Sequence, residues 1–421
     1  MTQFHSIRRM RICSECDLVV ALPPLPAGTQ ASCPRCQHIL ARRQRQPVQQ
    51  VTAWALAALM MLAVALYFDF VSFSTRGIGE TISLVDTVLA MLRRGEAWLA
   101  VVLTLTMVVL PGCYLLGLIY LHVTVVFGGK WPAQQLMLKW VSLVQPWLMA
   151  DVFLIGALVS LVKVSSLAEI GFEIGFWAYG AFALLVIHTG RCIDRDWLWF
   201  ALVGESAPSK QRVKIGGSAA PQNLIGCTLC DAVNHSDHNG RCRRCGSPLY
   251  IWYKFAQTRT LALLTGAIIL YVPAMLLPIM TTVDLSGAMP STIIGGVIEL
   301  WQMGSQPVAM IIFCASIVIP IAKIIALLWL VQRSNNARLS HDKSSPMLLY
   351  RVTDVIGRWS MIDVFVVAIL VALIQAGALM SVYPGPAAAA FAGVVILTML
   401  AAFSFDTRQL WRSKELGKDE Y

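Results

Sequence analysis

Trp147-Leu148-Met149-Ala150-Asp151-Val152-Phe153 returns 212 positions later as Trp359-Ser360-Met361-Ile362-Asp363-Val364-Phe365. The same spacing joins Leu158 to Leu370, Val159 to Val371, Leu161 to Leu373, Asp194 to Asp406 and Trp199 to Trp411. Two apolar helices share leucines and valines by chance. A Trp-x-Met-x-Asp-Val-Phe match in one frame indicates duplication. Each copy also follows a four-cysteine cluster and a long apolar stretch, so the chain reads as two related halves.

Hydrophobic residues make up 57% of the 421 and charged residues 13%, against about 25% charged in a soluble globular chain. Runs long enough to cross a hydrocarbon core of about 30 Å lie at 51–70, 98–127, 141–162 and 176–193, and again at 259–280, 307–331, 359–381 and 386–405. The predicted fold is therefore an all-α polytopic membrane protein. It has two tandem four-helix transmembrane modules, eight spans, each module preceded by a small cytoplasmic four-cysteine zinc ribbon. The expected units are a ribbon at 1–46, a module at 47–202, a linker at 203–222, a second ribbon at 223–250, a second module at 251–412 and a tail at 413–421.

No cleavable signal peptide is visible, because a polar, cysteine-rich segment precedes the first apolar run. Arg42, Arg43 and Arg45 precede the first span, and Arg191, Arg195, Lys210, Arg212 and Lys214 follow the fourth. Arg333, Arg338, Lys343, Arg351 and Arg358 separate the sixth and seventh, and Arg408, Arg412 and Lys414 follow the last. With eight spans all of these share one face, so both termini and the central linker are expected in the cytoplasm. This topology accounts for the net charge of +10 without nucleic acid.

Cys13-x-x-Cys16 with Cys33-x-x-Cys36, and Cys227-x-x-Cys230 with Cys242-x-x-Cys245, each supply four sulfurs for one tetrahedral ion. A reducing compartment favours metal over disulfides. Zinc is the expected ion, although a rubredoxin-like iron site uses the same ligands. A filled four-thiolate shell is structural, and in a ribbon too small for its own core it carries much of the folding free energy. Arg35, Arg241, Arg243 and Arg244 are placed to offset the thiolate charge. His38, His235 and His238 read as loop histidines.

Lys323 stands ten residues before Arg333 in an otherwise apolar run, so its Cα is expected about 15 Å inside the membrane. An intramembrane lysine costs on the order of 3 kcal/mol, which points to the bundle interior rather than lipid. Asp363 on the next span is the expected partner, with Ser316 and Thr398 as polar neighbours that alternatively bond their own helices. With Pro111 laid on Pro320, Lys323 falls at Tyr114 in the first half, which breaks the symmetry. For Asp151 and Asp363 a helix-cap or interfacial role beside Trp147 and Trp359 competes with a transport role. Residues 163–174 read as a short surface helix or a simple chain reversal. No nucleotide-binding or metalloprotease motif is present, and no enzymatic activity is expected.

Two ribbons each fused to a four-span block, Cys-Ser-Glu-Cys-Asp near the start, Cys-Thr-Leu-Cys-Asp in the linker, and the repeated Trp-x-Met-x-Asp-Val-Phe together resemble the paraquat-inducible protein A family. In length and layout the chain is most similar to the LetA branch of that family. The resemblance covers the whole chain. It implies a bacterial inner-membrane protein that passes phospholipid to or from a periplasmic MCE-family tunnel protein, with Lys323, Asp363, Ser316 and Thr398 as a coupling network. A scaffold that anchors the MCE partner and an iron-containing redox protein are the competing readings.

Overall fold

The computed structural model describes residues 9–75, 78–93, 95, 97–129, 131–164, 169–205, 213–235, 240–249, 255–284, 287–302, 304, 306–335, 347–353, 365–366 and 381–411. Among them, six helices are long and apolar enough to cross a membrane: Pro47–Tyr67, Ala100–Phe127, Gln134–Leu161, Ala256–Leu276, Ala309–Ser334 and Pro386–Ser404. A seventh is formed if the pair Ile174–Cys192 and Arg195–Val203, bent by 63°, counts as one span. These fall on seven of the eight expected runs. The remaining one, 359–381, lies outside the described residues except for Phe365, Val366 and Ser381.

The repeat extends beyond the apolar helices. In the first half, helix α1 (Pro47–Tyr67) leads into strands β5 (Val71–Thr75) and β6 (Ile78–Ile82), helix α2 (Leu84–Arg93) and helix α3 (Ala97–Thr104). In the second half, α9 (Ala256–Leu276), β10 (Met280–Asp284), β11 (Gly287–Ser291), α10 (Ile293–Gln302) and α11 (Gln306–Phe313) begin 209 residues later in turn. Each hairpin is joined on the outer side of its first strand by a third, distant strand. β7 (Glu169–Phe172) pairs antiparallel with β5, and β12 (Ser381–Pro384) with β10. The fold is thus mostly helical but carries two three-stranded sheets. At 169–172 the surface-helix expectation is replaced by β7, because the open edge of β5 offers backbone partners that a surface helix would leave unpaired.

The second span of each half contains one π-helical turn, Leu105–Val109 before α4 (Leu110–Phe127) and Cys314–Val318 before α12 (Ile319–Asn335). The cause is legible: Pro111 and Pro320 lack the N–H due to Met107 and Ser316, and a proline ring presses on the carbonyl four residues back. Widening the turn relieves both effects, and such π turns concentrate at functional sites. After α4 the chain forms α5 (Gln134–Val144), which packs against it where Gly117 leaves room for Met137 and Val141. Helix α6 (Ala150–Val164) then crosses toward β7.

The last long apolar helix of each half among the described residues, α7 (Ile174–Cys192) and α13 (Pro386–Ser404), packs along the first, α1 and α9. A glycine makes the close start possible. A Cβ on Gly175 would lie 2.6 Å from the Asp69 carbonyl oxygen, and one on Gly385 would meet Pro278 in the same way. The two halves meet through the repeated motif itself. Phe153 and Phe365, 212 positions apart, stack edge to face with ring centroids 5.8 Å apart, and the buried Ser160 donates to the Val366 carbonyl.

Candidate metal centres and the intramembrane polar residues

All four Cys-x-x-Cys segments fold alike. The amide of Asp17, Gln37, Asp231 and Gly246 donates to the first cysteine carbonyl of its own segment at 2.8–3.0 Å, Cys13, Cys33, Cys227 and Cys242 in that order. In each case the donor follows the second cysteine and has φ between 54° and 68°. That left-handed turn leaves two sulfurs on one side of the backbone. The first cysteine amide donates onward to Leu18, His38, Ala232 or Ser247, which closes the knuckle.

Short hairpins hold the knuckles face to face. β1 (Arg9–Ile12) pairs with β2 (Val19–Leu22), β3 (Gln30–Ser32) with β4 (Ile39–Arg42), and β8 (Leu224–Gly226) with β9 (Val233–His235). The four sulfurs of each set lie within 4.8 Å of one another. Cys13–Cys36 and Cys16–Cys33 are 3.5 Å apart, Cys227–Cys245 3.6 Å and Cys230–Cys242 3.5 Å. A disulfide requires about 2.05 Å. Four sulfurs around zinc at about 2.3 Å stand about 3.8 Å apart, so the donor set fits a tetrahedral ion and not two bonds between cysteines. Hydrogen bonding from neighbouring sulfurs pulls thiols of each set down, Cys13 by Cys16, and both Cys242 and Cys245 by Cys227 and Cys230.

The residues around the sulfurs are only partly those expected from charge. Arg35 donates to the Cys16 carbonyl and Arg244 to that of Cys230. Asn234, almost wholly buried, gives its amide N–H to Cys242 Sγ at 3.5 Å and accepts from the Arg243 amide. Arg351, far along the chain, donates to Glu15 and to the Cys36 carbonyl. Burial would raise the Glu15 pKa, but hydrogen bonds from His38 and Arg351 hold it down to about 2. His38 is therefore an ion-pair partner, 3.1 Å from Glu15, rather than a solvated loop residue. His238 lies outside the described residues.

The first ribbon touches both membrane blocks. Arg11, 2% exposed, binds Asp196 and Glu205 at the end of the first half, and Arg9 joins it on Asp196. Asp196 lies on helix α8 (Arg195–Val203), whose N-cap Asp194 accepts from the Trp197 amide. Burial raises Asp194 to about 6. On the other side, Asp17 lies 4.0 Å from Arg408, and Arg35 sits over the Trp411 ring. Leu18 bridges to Ser218, Val19 bonds Gly217 and Gly216, and Ile12 packs on Gly226 of the second ribbon. Residues 213–222, the described part of the expected linker beyond Glu205, are thus a packed seam.

Within the bundle, Ser316 and Lys323 lie on the α11–α12 helix and are 2% and 3% exposed. A lysine that withdrawn is inside the protein and not snorkelling past it. Thr398 is buried on α13, which packs against α12, and its hydroxyl donates to the Val395 carbonyl of its own helix. Asp363 lies outside the described residues. Asp151 is in the first turn of α6, where the helix dipole favours a carboxylate, and belongs to the other half. Asn234, Glu15, Arg11 and Arg351 were not singled out as site residues by the sequence, because their roles depend on contacts across long separations.

A family model described as paraquat-inducible protein A matches residues 48–202 and 257–415. Intermembrane transport protein PqiA of Escherichia coli (strain K12) is 38% identical over 416 residues, 98% of this chain and 97% of its own. A probable intermembrane transport protein of Haemophilus influenzae is 31% identical over 406 residues, 95% of each chain. The lipophilic envelope-spanning tunnel protein A of Escherichia coli (strain K12) is 28% identical over 409 residues, 97% of this chain and 92% of its own. Identity is thus higher to the first than to the third, whose branch the layout suggested. No solved structure matches the chain.

Proposed function

Because this chain belongs to the paraquat-inducible protein A family, we propose that it is the bacterial inner-membrane component of an intermembrane phospholipid transport system. It exchanges lipid with a periplasmic MCE-family tunnel protein and so maintains the outer membrane. In this reading the chain crosses the bilayer eight times in two tandem four-helix modules, with both termini and both ribbons in the cytoplasm. The relatives named as intermembrane transport proteins along nearly their whole length support the assignment.

The observation that carries it is Lys323, a lysine 3% exposed inside an apolar helix just beyond a proline-widened turn. Inert membrane helices have no need of such a residue. With Asp363, Ser316 and Thr398 it forms the network that couples proton movement or conformational change to lipid loading. Each ribbon holds one zinc ion through its four cysteines, Cys13, Cys16, Cys33 and Cys36 or Cys227, Cys230, Cys242 and Cys245. The closed thiolate shell supplies folding free energy and no catalysis.

The test is Lys323→Ala beside Lys323→Arg, expressed at equal level in cells that depend on this system for envelope integrity. The reading predicts loss of detergent resistance and of lipid in the tunnel partner for the alanine variant. Unchanged resistance and loading would sink it and favour a scaffold that only anchors the partner.

A further inference from the structure

Helices α2 and α10 follow the sheet of each half, at the end of the bundle away from the ribbons. Each opens on a hydroxyl cap: the Asp86 amide donates to Ser83 Oγ and the Gly295 amide to Thr292 Oγ1, both at 3.1 Å. Each ends at a glycine in the left-handed region, Gly95 at φ 86° and Gly304 at φ 84°. Between those limits each helix has three faces. Leu84, Thr87 and Met91 of α2, and Ile293 and Leu300 of α10, are buried against the protein. Asp86 and Arg93, like Glu299 and Gln302, form an exposed polar edge.

The third face is apolar and uncovered. Val85, Leu89 and Leu92 of α2 correspond at 209 residues to Ile294, Ile298 and Trp301 of α10, and all six are 42–52% exposed. A spacing of i, i+4, i+7 places each trio on one stripe. The stripe continues onto the next helix. Val101, Leu105 and Val109 are exposed, as are their counterparts Met310, Cys314 and Val318. Those residues belong to the second span of each half, so the uncovered stripe is continuous with the surface that the membrane-crossing helices offer to lipid.

We infer that α2 and α10 are a matched pair of interfacial helices, seated in the headgroup–acyl boundary of the leaflet on the sheet side. A helix that packs one face on protein, one on acyl chains and one in water needs three faces of these chemistries. Trp301 suits that depth, since an indole combines an apolar ring with a polar N–H. The pair would fix the two sheets against the leaflet from which lipid reaches a partner. The inference rests on the proposed membrane topology for the identity of that leaflet.

An environment-sensitive fluorescent amino acid placed singly at Leu89, Leu92 and Ile298, with Asp86 and Glu299 as controls, tests this in the full chain. The chain is placed in vesicles of phosphatidylethanolamine and phosphatidylglycerol. Lipids with a nitroxide near the headgroup should quench Leu89, Leu92 and Ile298 several-fold more than lipids with a nitroxide at the chain end. Aqueous iodide should reach Asp86 and Glu299 several-fold better than those three. Equal quenching by iodide at stripe and control positions would overturn the inference and indicate a face that stands in water. Iodide confined to the ribbon side separates the two questions. If it quenches the controls, the topology is wrong whatever the depth of the stripe.

Discussion

Asn234 gives its side-chain amide to Cys242 and orders the Arg243 amide, so it fixes a thiolate from behind. Partners of this kind are worth about 10–100-fold in metal affinity. Asn234→Ala should weaken the second site by that factor in competition with a chromogenic chelator and leave the first site unchanged. Asp194 acts at the same scale through charge. Burial raises it from 3.8 to about 6, so the folded state prefers the neutral acid. Its contribution is complete below the unfolded value and is lost as pH rises through about 6, to about 3 kcal/mol in all. Asp194→Asn keeps an acceptor for the Trp197 amide. It should flatten the fall in thermal stability between pH 4 and pH 7, and an unchanged slope would show that the cap is not buried in solution.

At the scale of elements, α7 and α13 each start on a glycine pressed against the backbone that leaves α1 or α9. Gly175→Ala forces carbonyl oxygen and methyl together, and should lower stability by about 1–3 kcal/mol in a denaturation assay of the detergent-solubilised protein. Gly180→Ala, where a Cβ would meet only Leu154 at 3.8 Å, should be nearly neutral. The helices and the cysteine sites were legible in the sequence, because twenty apolar residues and two spaced Cys-x-x-Cys pairs each have one physical solution. The sheets were not. Val71–Thr75 and Met280–Asp284 are short strands whose partners, Glu169–Phe172 and Ser381–Pro384, lie about a hundred residues away. The first residues of helix α5 were not legible for a related reason: it starts at Gln134, in the polar stretch before the expected run 141–162. The burial of Lys323 was legible from its isolation, whereas Glu15 and Arg351 became visible only when the fold brought them together.

For the whole molecule, the ribbon at the chain start joins both halves, through Arg11 to Asp196 and Glu205 and through Glu15 to Arg351. Metal should therefore matter beyond its own loop. Cys16→Ser is expected to raise hydrogen exchange at 347–353, and Cys230→Ser, which leaves the Glu15 knuckle intact, is not. The halves also meet at Phe153 and Phe365. Truncating either to Ala should cost about 3–5 kcal/mol. The double variant should fall short of the sum by about 0.5–3 kcal/mol, because each single change already breaks the shared contact. Full additivity in thermal unfolding would mean that the two rings do not pack together.

If the Lys323 network couples to lipid loading, lipid comes within reach of the helix that carries it. A photoreactive amino acid at Ser316, buried two turns from Lys323 on the same helix, tests it in cells that carry labelled phospholipid. The account predicts a lipid adduct whose yield changes when the tunnel partner is removed. Crosslinks to protein alone, with or without the partner, would contradict it and leave Lys323 as a structural ion.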